Sequence, residues 1–270
     1  MRAQRPSVTA RSVALVRSRL VRPSSPSGDP EAEDQLYGGL RPVLWPLRGR
    51  RHERIAARTR FFDDETLRAI ADGVTQVVIV GAGYDGRALR FRSPGVRFFE
   101  LDHPATQADK QQRVHGLGLA ADDVVYVPLD LTQDQVDTVL AAAGHNRNDA
   151  TLFICEGLLL YLPKVTVADL FGRLRSCAGP GSRLVLSTRE RPRSNSTSDR
   201  VQEVAGRTVL ALIGEPRRSR FEPGEIGRLL EDARWTVGRR VRRDSSRARE
   251  VGEGGLLLVV EPIEHSTPRA

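Results

Sequence analysis

The hydrophobic positions of the chain fall into short β-branched runs separated by stretches with helical spacing. Five runs have the length of buried strands: residues 76–80, 96–101, 124–129, 151–155 and 183–187. Four intervening stretches are predicted to be crossover helices: residues 85–91, 105–117, 133–143 and 165–177. Strands that alternate with helices in this way predict a parallel sheet with helices packed on it.

The region after the fifth run interrupts this alternation. Residues 189–220 are rich in arginine and predict an insertion or lid, with a short helix at 201–213. A helix at 222–233 and strands at 235–241 and 255–260 follow, and the two strands are expected to pair as an antiparallel hairpin at one sheet edge. Together, the segments predict an α/β fold with a doubly wound, mostly parallel sheet of seven strands.

The N-terminal region departs from the pattern as well. Residues 1–35 are rich in Arg, Ser and Pro with little periodicity, so we expect a basic disordered tail, although the stretch before Asp29 also resembles an organellar transit peptide. From residue 50 to Gly73, apolar side chains return at near-helical spacing and predict one or two helices. We therefore expect one domain over residues 36–265, which suits a chain of 270 residues.

The charge of the chain is strongly positive, with a net charge of +8 and a pI near 10.4. Of the 42 basic residues, only Lys110 and Lys164 are lysines. Such an arginine bias is more typical of a GC-rich coding sequence than of a nucleic-acid groove, so nucleic acid is not an expected partner. Most of the charge is expected to be solvated, and a preference for anionic partners is the alternative.

Two cysteines, Cys155 and Cys177, bear on the cellular compartment. They form neither a disulfide framework nor a zinc-ligand spacing, so we expect a reducing, cytoplasmic location and no metal. No run of about 18 apolar residues occurs, so no membrane span is expected. The oligomeric state is left open.

Candidate chemistry begins where the first strand ends. Gly81, Gly83 and Gly86 let the backbone turn tightly and approach a ligand before the next helix. Their spacing matches the GxGxxG dinucleotide fingerprint, and Asp102 lies where a ribose-binding acid is expected. Taken alone, this motif fits an NAD-dependent oxidoreductase as well as a methyltransferase.

Acidic residues follow three successive strands. Asp102 can accept hydrogen bonds from both ribose hydroxyls, Asp130 and the N–H of Leu131 suit an adenine ring, and Glu156 follows the fourth strand. The alternative is that Glu100 or Asp102 caps the next helix, that Asp130 does likewise, and that Glu156 is a buried, satisfied carboxylate. Three acids at successive strand ends favour a cofactor cleft.

Several ordered motifs resemble the leucine carboxyl methyltransferase family over roughly residues 50–260. They are ARTRFFDD at 57–64, GAGYDGR at 81–87, ELD at 100–102, PLDL at 128–131 and EGLLLYL at 156–162. That family includes bacterial members that form methyl esters or ethers on polyketides and other secondary metabolites. The resemblance implies a Rossmann-like class I fold and S-adenosylmethionine as cofactor. Gly86 departs from the family pattern, in which a small polar or larger residue is expected.

The resemblance also implies roles for individual residues. Arg58 would pair with the methionine carboxylate of the cofactor, because a guanidinium group binds a carboxylate bidentately, and Arg60 is an alternative for this role. The other implied cofactor contacts follow the strand ends: Gly81, Ala82 and Gly83 under the cofactor, Asp102 at the ribose, Asp130 and Leu131 around the adenine, and Glu156 near the methionine moiety.

The acceptor and the catalytic residues are less defined. A carboxylate acceptor is already ionised and needs no general base, whereas a hydroxyl needs one. Three residues are candidates for a catalytic role: His103, His115 and Tyr161. A solvated basic loop is the favoured interpretation of three further arginines, and steering of an anionic small-molecule acceptor is the alternative: Arg189, Arg191 and Arg193.

Three other functions stay open at this point. An NAD-dependent oxidoreductase lacks an evident Ser-Tyr-Lys or histidine-based hydride site in this sequence. A nucleic-acid methyltransferase lacks both a Pro-Pro-Tyr type motif and a Pro-Cys nucleophile. A non-catalytic protein that kept the fold would bind the cofactor without turnover.

Overall fold

A computed structural model of the chain describes residues 7–38, 50–190, 218–242 and 255–263. Within these ranges seven strands form one sheet in the order β3-β2-β1-β4-β5-β7-β6. The strands are β1 (Gln76–Val80), β2 (Arg97–Asp102), β3 (Val124–Pro128), β4 (Thr151–Cys155), β5 (Arg183–Arg189), β6 (Trp235–Arg242) and β7 (Gly255–Pro262).

Strand directions agree with the prediction. Strands β1 to β5 pair in parallel, and β7 runs antiparallel to both of its neighbours. The doubly wound, mostly parallel sheet of seven strands is therefore confirmed. The expected antiparallel pair lies at one edge, where β7 is inserted between β5 and the edge strand β6.

Helices occupy the predicted intervals with shifted ends, and two further helices lie near the N-terminus, where none was expected. They are α1 (Val8–Arg17), α2 (Ala32–Tyr37), α3 (Arg50–Ala71), α4 (Arg87–Arg90), α5 (Pro104–Gly116), α6 (Val136–Ala142), α7 (Lys164–Ser176) and α8 (Glu225–Asp232), with a 3-10 turn at Leu159–Tyr161. The segment predicted as one or two helices is the single helix α3, after which Gly73 takes a φ of +92°.

Alternating side chains of the strands feed two separate cores, one on each face of the sheet. Val78 and Phe153 pack with Phe171 of α7 in one core. Val77 packs with Phe62 of α3 in the other. Burial on both faces explains why the parallel strands are continuous apolar runs rather than alternating ones.

The prediction that residues 1–35 form a disordered tail is wrong for the part of this segment that the structure describes. Ser7 caps α1 by accepting a hydrogen bond from the N–H of Ala10. Ala14 of α1 and Leu36 of α2 join a third apolar cluster with Tyr84 of the glycine-rich turn. The arginines of this segment form ion pairs that hold it against the rest of the protein. Because these arginines are paired rather than solvated, the composition of the segment misleadingly resembles that of a disordered tail.

The predicted insertion lies mostly outside the described residues. Arg189 ends β5, whereas the expected helix at 201–213, Arg191 and Arg193 fall in the undescribed range 191–217. Among the helices that the structure describes, none combines the length and apolar character needed to cross a membrane.

Candidate functional site

A cavity of about 360 Å³ opens where β1 to β4 end. The carboxyl ends of parallel strands meet at one edge of the sheet, which is where ligands of such folds bind. Among the described residues, all eight predicted cofactor contacts line this cavity: Arg58, Gly81, Ala82, Gly83, Asp102, Asp130, Leu131 and Glu156. The N-terminal helix contributes part of the wall through Ala10, Val13 and Arg17.

The glycine-rich turn after β1 approaches its neighbours closely. Gly81 has a φ of +71° and Gly83 a φ of +54°, conformations that favour glycine. The N–H groups of Gly81 and Ala82 donate to the carbonyl of Leu101 at 2.8 and 3.0 Å. A Cβ atom on Gly83 would lie 2.9 Å from the Cβ of Ala10 in α1, so this glycine also provides room for the N-terminal helix.

Asp102 ends β2 and is held by two backbone groups. Its carboxylate accepts hydrogen bonds from the N–H of Gly83 at 2.5 Å and of His103 at 2.6 Å. Burial raises the pKa of Asp102, although these two N–H groups lower it. His103 rather than Glu100 or Asp102 is the N-cap of α5, so the capping alternative is wrong for both acids.

Glu156, directly after β4, is surrounded by arginines. Its carboxylate accepts hydrogen bonds from Arg17 at 2.6 Å and from Arg58 and Arg87 at 2.8 Å each. Burial opposes the ionisation of Glu156, but the three guanidinium groups outweigh it and hold the pKa of this carboxyl well below its usual range. Glu156 is thus a buried, satisfied carboxylate that also fixes the cations beside the cavity.

Two more acids extend this ion-pair network. Asp85 pairs with Arg87 and, at 3.2 Å, with Arg17. Asp63 accepts two 2.8 Å hydrogen bonds from Arg22 and one of 2.8 Å from Arg87. Among the described residues, the network includes four arginines and three acids: Arg17, Arg22, Arg58, Arg87, Asp63, Asp85 and Glu156. Its excess positive charge favours an anionic group in the cavity.

Arg58 is the member of the network whose guanidinium group is best placed for a ligand. Its Nε donates to Glu156, its side chain is 21% exposed, and it lines the cavity. Arg60, the alternative, is exposed and does not line the cavity. Of the two residues, only Arg58 therefore lies where a cofactor carboxylate would bind.

Asp130 has a structural role in addition to lining the cavity. It accepts hydrogen bonds from Thr132 N–H at 2.9 Å, Thr132 Oγ1 at 2.7 Å and Gln133 Nε2 at 3.1 Å. Burial opposes its ionisation, but the bonds from Thr132 and Gln133 lower the pKa of Asp130. The carboxylate therefore shapes the turn after β3, which Leu131 continues along the cavity wall.

The candidate catalytic residues separate into two groups. His103 and Tyr161 line the cavity, and the Nδ1 of His103 accepts a hydrogen bond from Ala105 N–H at 3.4 Å. His115 is exposed in the last turn of α5 and does not line the cavity, which fits the alternative that it is a surface residue. Arg218, at the end of the predicted insertion, lines the cavity beside Tyr161 because its N–H donates to Leu160 O at 2.8 Å.

Sequence reasoning missed the residues of α1 and two of the three described partners of Glu156, Arg17 and Arg87. Arg17 was not recognised because arginine in a basic stretch suggests solvation. A signal was available in Ser7, a good N-cap residue, followed by Val13 and Val16 at helical spacing.

The chain is similar to a known family and to several named relatives. The family model described as leucine carboxyl methyltransferase matches residues 13–175. A relative from Mycobacterium avium is 34% identical over 209 residues, which cover 74% of this chain and 69% of that protein. One from Streptomyces coelicolor is 38% identical, with coverage of 58% and 63%. Both carry the name of a candidate S-adenosyl-L-methionine-dependent methyltransferase.

A third relative shows the extent of the match. A protein from Frankia alni with the same type of name is 42% identical over 139 residues, 49% of this chain and 47% of that protein. The aligned regions thus span between about half and two thirds of the length of these curated relatives.

Solved structures resemble the fold at low sequence identity. The magnesium protoporphyrin IX methyltransferase of Synechocystis, solved with bound SAH, has a TM-score of 0.52 at 16% identity and covers 85% of this chain and 92% of its own. A candidate sarcosine dimethylglycine methyltransferase from Galdieria sulphuraria has a TM-score of 0.54 at 13% identity, with coverage of 77% and 87%.

Proposed function

This chain belongs to the leucine carboxyl methyltransferase family, and we propose that it transfers a methyl group from S-adenosylmethionine to an oxygen atom of a small anionic metabolite. The observation that carries the proposal is one cavity that joins Asp102, at the end of β2, with the guanidinium group of Arg58 on α3. Asp102 would accept hydrogen bonds from the ribose hydroxyls, and Arg58 would bind the amino-acid carboxylate of the cofactor.

The dinucleotide alternative is disfavoured by the end of the glycine-rich turn. A pyrophosphate binds to free N–H groups at a helix N-terminus. Here the N–H of Arg87, the first residue of α4, donates to the carboxylate of Asp85 at 2.9 Å, and α4 is only four residues long. The Asp85 carboxylate therefore already accepts from an N–H group that a pyrophosphate of NAD would need.

Part of the positive charge has an internal role, which weakens the case for nucleic acid. Arg17, Arg22 and Arg87 are buried and paired with acids. These side chains face carboxylates inside the protein rather than phosphates outside it. The net charge alone is therefore a poor guide to the partner.

Methyl transfer is an in-line displacement on a sulfonium methyl carbon, which the cofactor supplies. When bound, the cofactor would supply an electrophilic methyl group to the acceptor oxygen and would leave as a neutral thioether, whose sulfur keeps the electrons of the S–C bond. The contribution of the chain is mainly positioning, which is worth roughly 7–11 kcal/mol in well-oriented reactions. Arg58 and Asp102 hold the two ends of the cofactor.

The acceptor is proposed to be a carboxylate. Arg218 lines the cavity at the end of the predicted insertion, where its positive charge would attract an acid. A carboxylate is already ionised at neutral pH, so no proton has to be removed during the transfer. Salt would weaken this attraction, because exposed charges are screened over about 10 Å at 0.1 M.

Cofactor identity is tested by a thermal-shift titration of the full chain. S-adenosylmethionine and its demethylated product should raise the melting temperature, since a ligand at 100 times its Kd stabilises the fold by about 2.7 kcal/mol. NAD serves as the comparison ligand at the same concentrations. Stabilisation by NAD alone would overturn the assignment.

Acceptor chemistry is tested with a labelled methyl group. Candidate acids are incubated with labelled cofactor and the products are treated with mild alkali, which hydrolyses methyl esters and leaves methyl ethers intact. Loss of label supports a carboxylate acceptor. An alkali-stable product would contradict it and make His103, which lines the cavity, the first candidate for a general base.

A further inference from the structure

Lys110 is a buried lysine on α5 that joins two parts of the cofactor site. Its side chain is 2% exposed. The ammonium group donates to the carboxylate of Glu100 on β2 at 2.5 Å and to the backbone carbonyl of Asp85 in the glycine-rich turn. A buried ammonium group is costly unless it is paired, so this double contact restricts where the turn can lie.

Asp85 is held through both its backbone carbonyl and its carboxylate. Lys110 binds its carbonyl, while Arg17 and Arg87 bind its carboxylate. The N–H of Asp85 donates to the carbonyl of Ala82 at 2.8 Å, which closes the turn that lines the cavity. A shift of Asp85 would therefore displace the backbone on which the cofactor lies.

We propose that Lys110 is a positioning residue for cofactor binding, and that it holds the glycine-rich turn in place only while Glu100 is ionised. The inference rests on the proposed function in one respect, namely that the cavity binds S-adenosylmethionine. Its consequence is a cofactor affinity that falls when Glu100 is protonated, because the ammonium group then loses its charged partner.

The surroundings of Glu100 come from four elements. Lys110 faces it from α5, Asp85 from the glycine-rich turn, Asp102 from the same strand and Tyr126 from β3. Gln107 of α5 donates to the Glu100 carbonyl at 2.5 Å. Among the described residues, neither Glu100 Oε1 nor the Tyr126 hydroxyl has a hydrogen-bond partner.

This environment brings the titration of Glu100 near neutrality. Burial raises the pKa of Glu100 to about 7, against the lowering effect of Lys110, and the carboxylates of Asp85 and Asp102 add to the increase. Glu100 is therefore ionised and paired at pH 8 and largely protonated at pH 6. Because Lys110 contacts both Glu100 and the carbonyl of Asp85, protonation of Glu100 affects the glycine-rich turn.

The experiment measures binding of S-adenosylhomocysteine to the full chain by calorimetry between pH 6 and 8.5. The variants are Lys110→Met, which keeps most of the length of the side chain without its charge, and Glu100→Gln. Lys164→Met is the matched control, because Lys164 forms an exposed 2.6 Å pair with Glu225.

Wild-type protein should bind several-fold more weakly at pH 6 than at pH 8. Lys110→Met should weaken binding by about tenfold at pH 8, the effect of one lost charge-assisted hydrogen bond. Glu100→Gln should bind weakly with a flat pH profile, whereas Lys164→Met should keep the wild-type profile. If Lys110 had only a structural role, the pH dependence of S-adenosylhomocysteine affinity would not change in Glu100→Gln.

Two results would overturn the inference while leaving the proposed function intact: wild-type affinity in a folded Lys110→Met variant, or a wild-type pH profile in Glu100→Gln. If Lys110→Met does not fold, as judged by near-UV circular dichroism, the profile of Glu100→Gln decides. Failure of the wild-type protein to bind S-adenosylhomocysteine at any pH would overturn the proposed function, and this inference with it.

Discussion

Arg17 and Glu156 are joined by a 2.6 Å hydrogen bond across 139 residues of sequence, between side chains that are 6% and 4% exposed. The bond links the N-terminal helix α1 to the end of β4. Because Glu156 also fixes Arg58, α1 influences the cation proposed to bind the cofactor carboxylate. The helix is thus part of the site.

Arg17→Gln is expected to lower both stability and cofactor affinity. It leaves Glu156 and Asp85 with fewer cations in a buried setting, and breaking a buried pair in this way costs about 3–5 kcal/mol. Urea unfolding and calorimetry with S-adenosylhomocysteine measure the two effects. Arg19→Gln, an exposed arginine two residues further on, is the control and should change neither. Equal behaviour of the two variants would contradict the role of Arg17.

Asp102→Ala is expected to weaken cofactor binding without unfolding the protein. It removes the proposed acceptor for the ribose hydroxyls, and hydrogen bonds to a charged group are worth about 1.5–3 kcal/mol, or roughly 10- to 150-fold in Kd. Calorimetry checks this, with the exposed Asp122→Ala as control. Unchanged affinity would mean that Asp102 serves only the backbone N–H groups of Gly83 and His103.

Gly83→Ala is expected to loosen the N-terminal helix. The new Cβ would lie 2.9 Å from Ala10 Cβ, so α1 must move away. Gly95→Ala is a matched control, since Gly95 also has a positive φ of +78° but no atom within 4 Å of the added Cβ. Hydrogen exchange in α1 should increase for Gly83→Ala only. Protection that is the same in both variants would contradict the contact.

Stability should fall in acid. Burial opposes the ionisation of Asp85, but Arg17 and Arg87 outweigh it and lower the pKa to about 2. Because the pKa of Asp85 is lower in the folded than in the unfolded protein, its ionisation stabilises the fold fully at pH values above the unfolded pKa near 4. This stabilisation is lost as the pH falls toward 2. For Asp85 this is on the order of 2 kcal/mol.

Glu100 acts in the opposite direction. The pKa of Glu100 is raised to about 7 in the folded protein, so the folded state binds a proton more readily than the unfolded state. This contribution to the free energy of unfolding diminishes as the pH rises from about 4.5 to 7. Urea unfolding from pH 2.5 to 8 should show the loss in acid to be steeper in wild-type protein than in Asp85→Asn. Equal acid slopes would show that the ion pairs of Asp85 do not determine this loss.

What the sequence determined by itself was the order of the elements and the residues at the strand ends. Apolar runs and helical spacing are local patterns, and parallel strands bring their carboxyl ends to one edge whatever the details of packing. For that reason Gly81, Asp102, Asp130 and Glu156 were predicted on one cleft, and the structure places all four there.

What only the tertiary structure decided was the set of partners that each polar group has. Arg17 belongs to a segment whose composition suggests a solvated tail, and Lys110 to the polar helix α5, yet both are buried because carboxylates on other elements neutralise them. Whether a charge is solvated or paired depends on what the fold brings within hydrogen-bonding distance. No local pattern carries that information, since the partners of Arg17 lie on other elements.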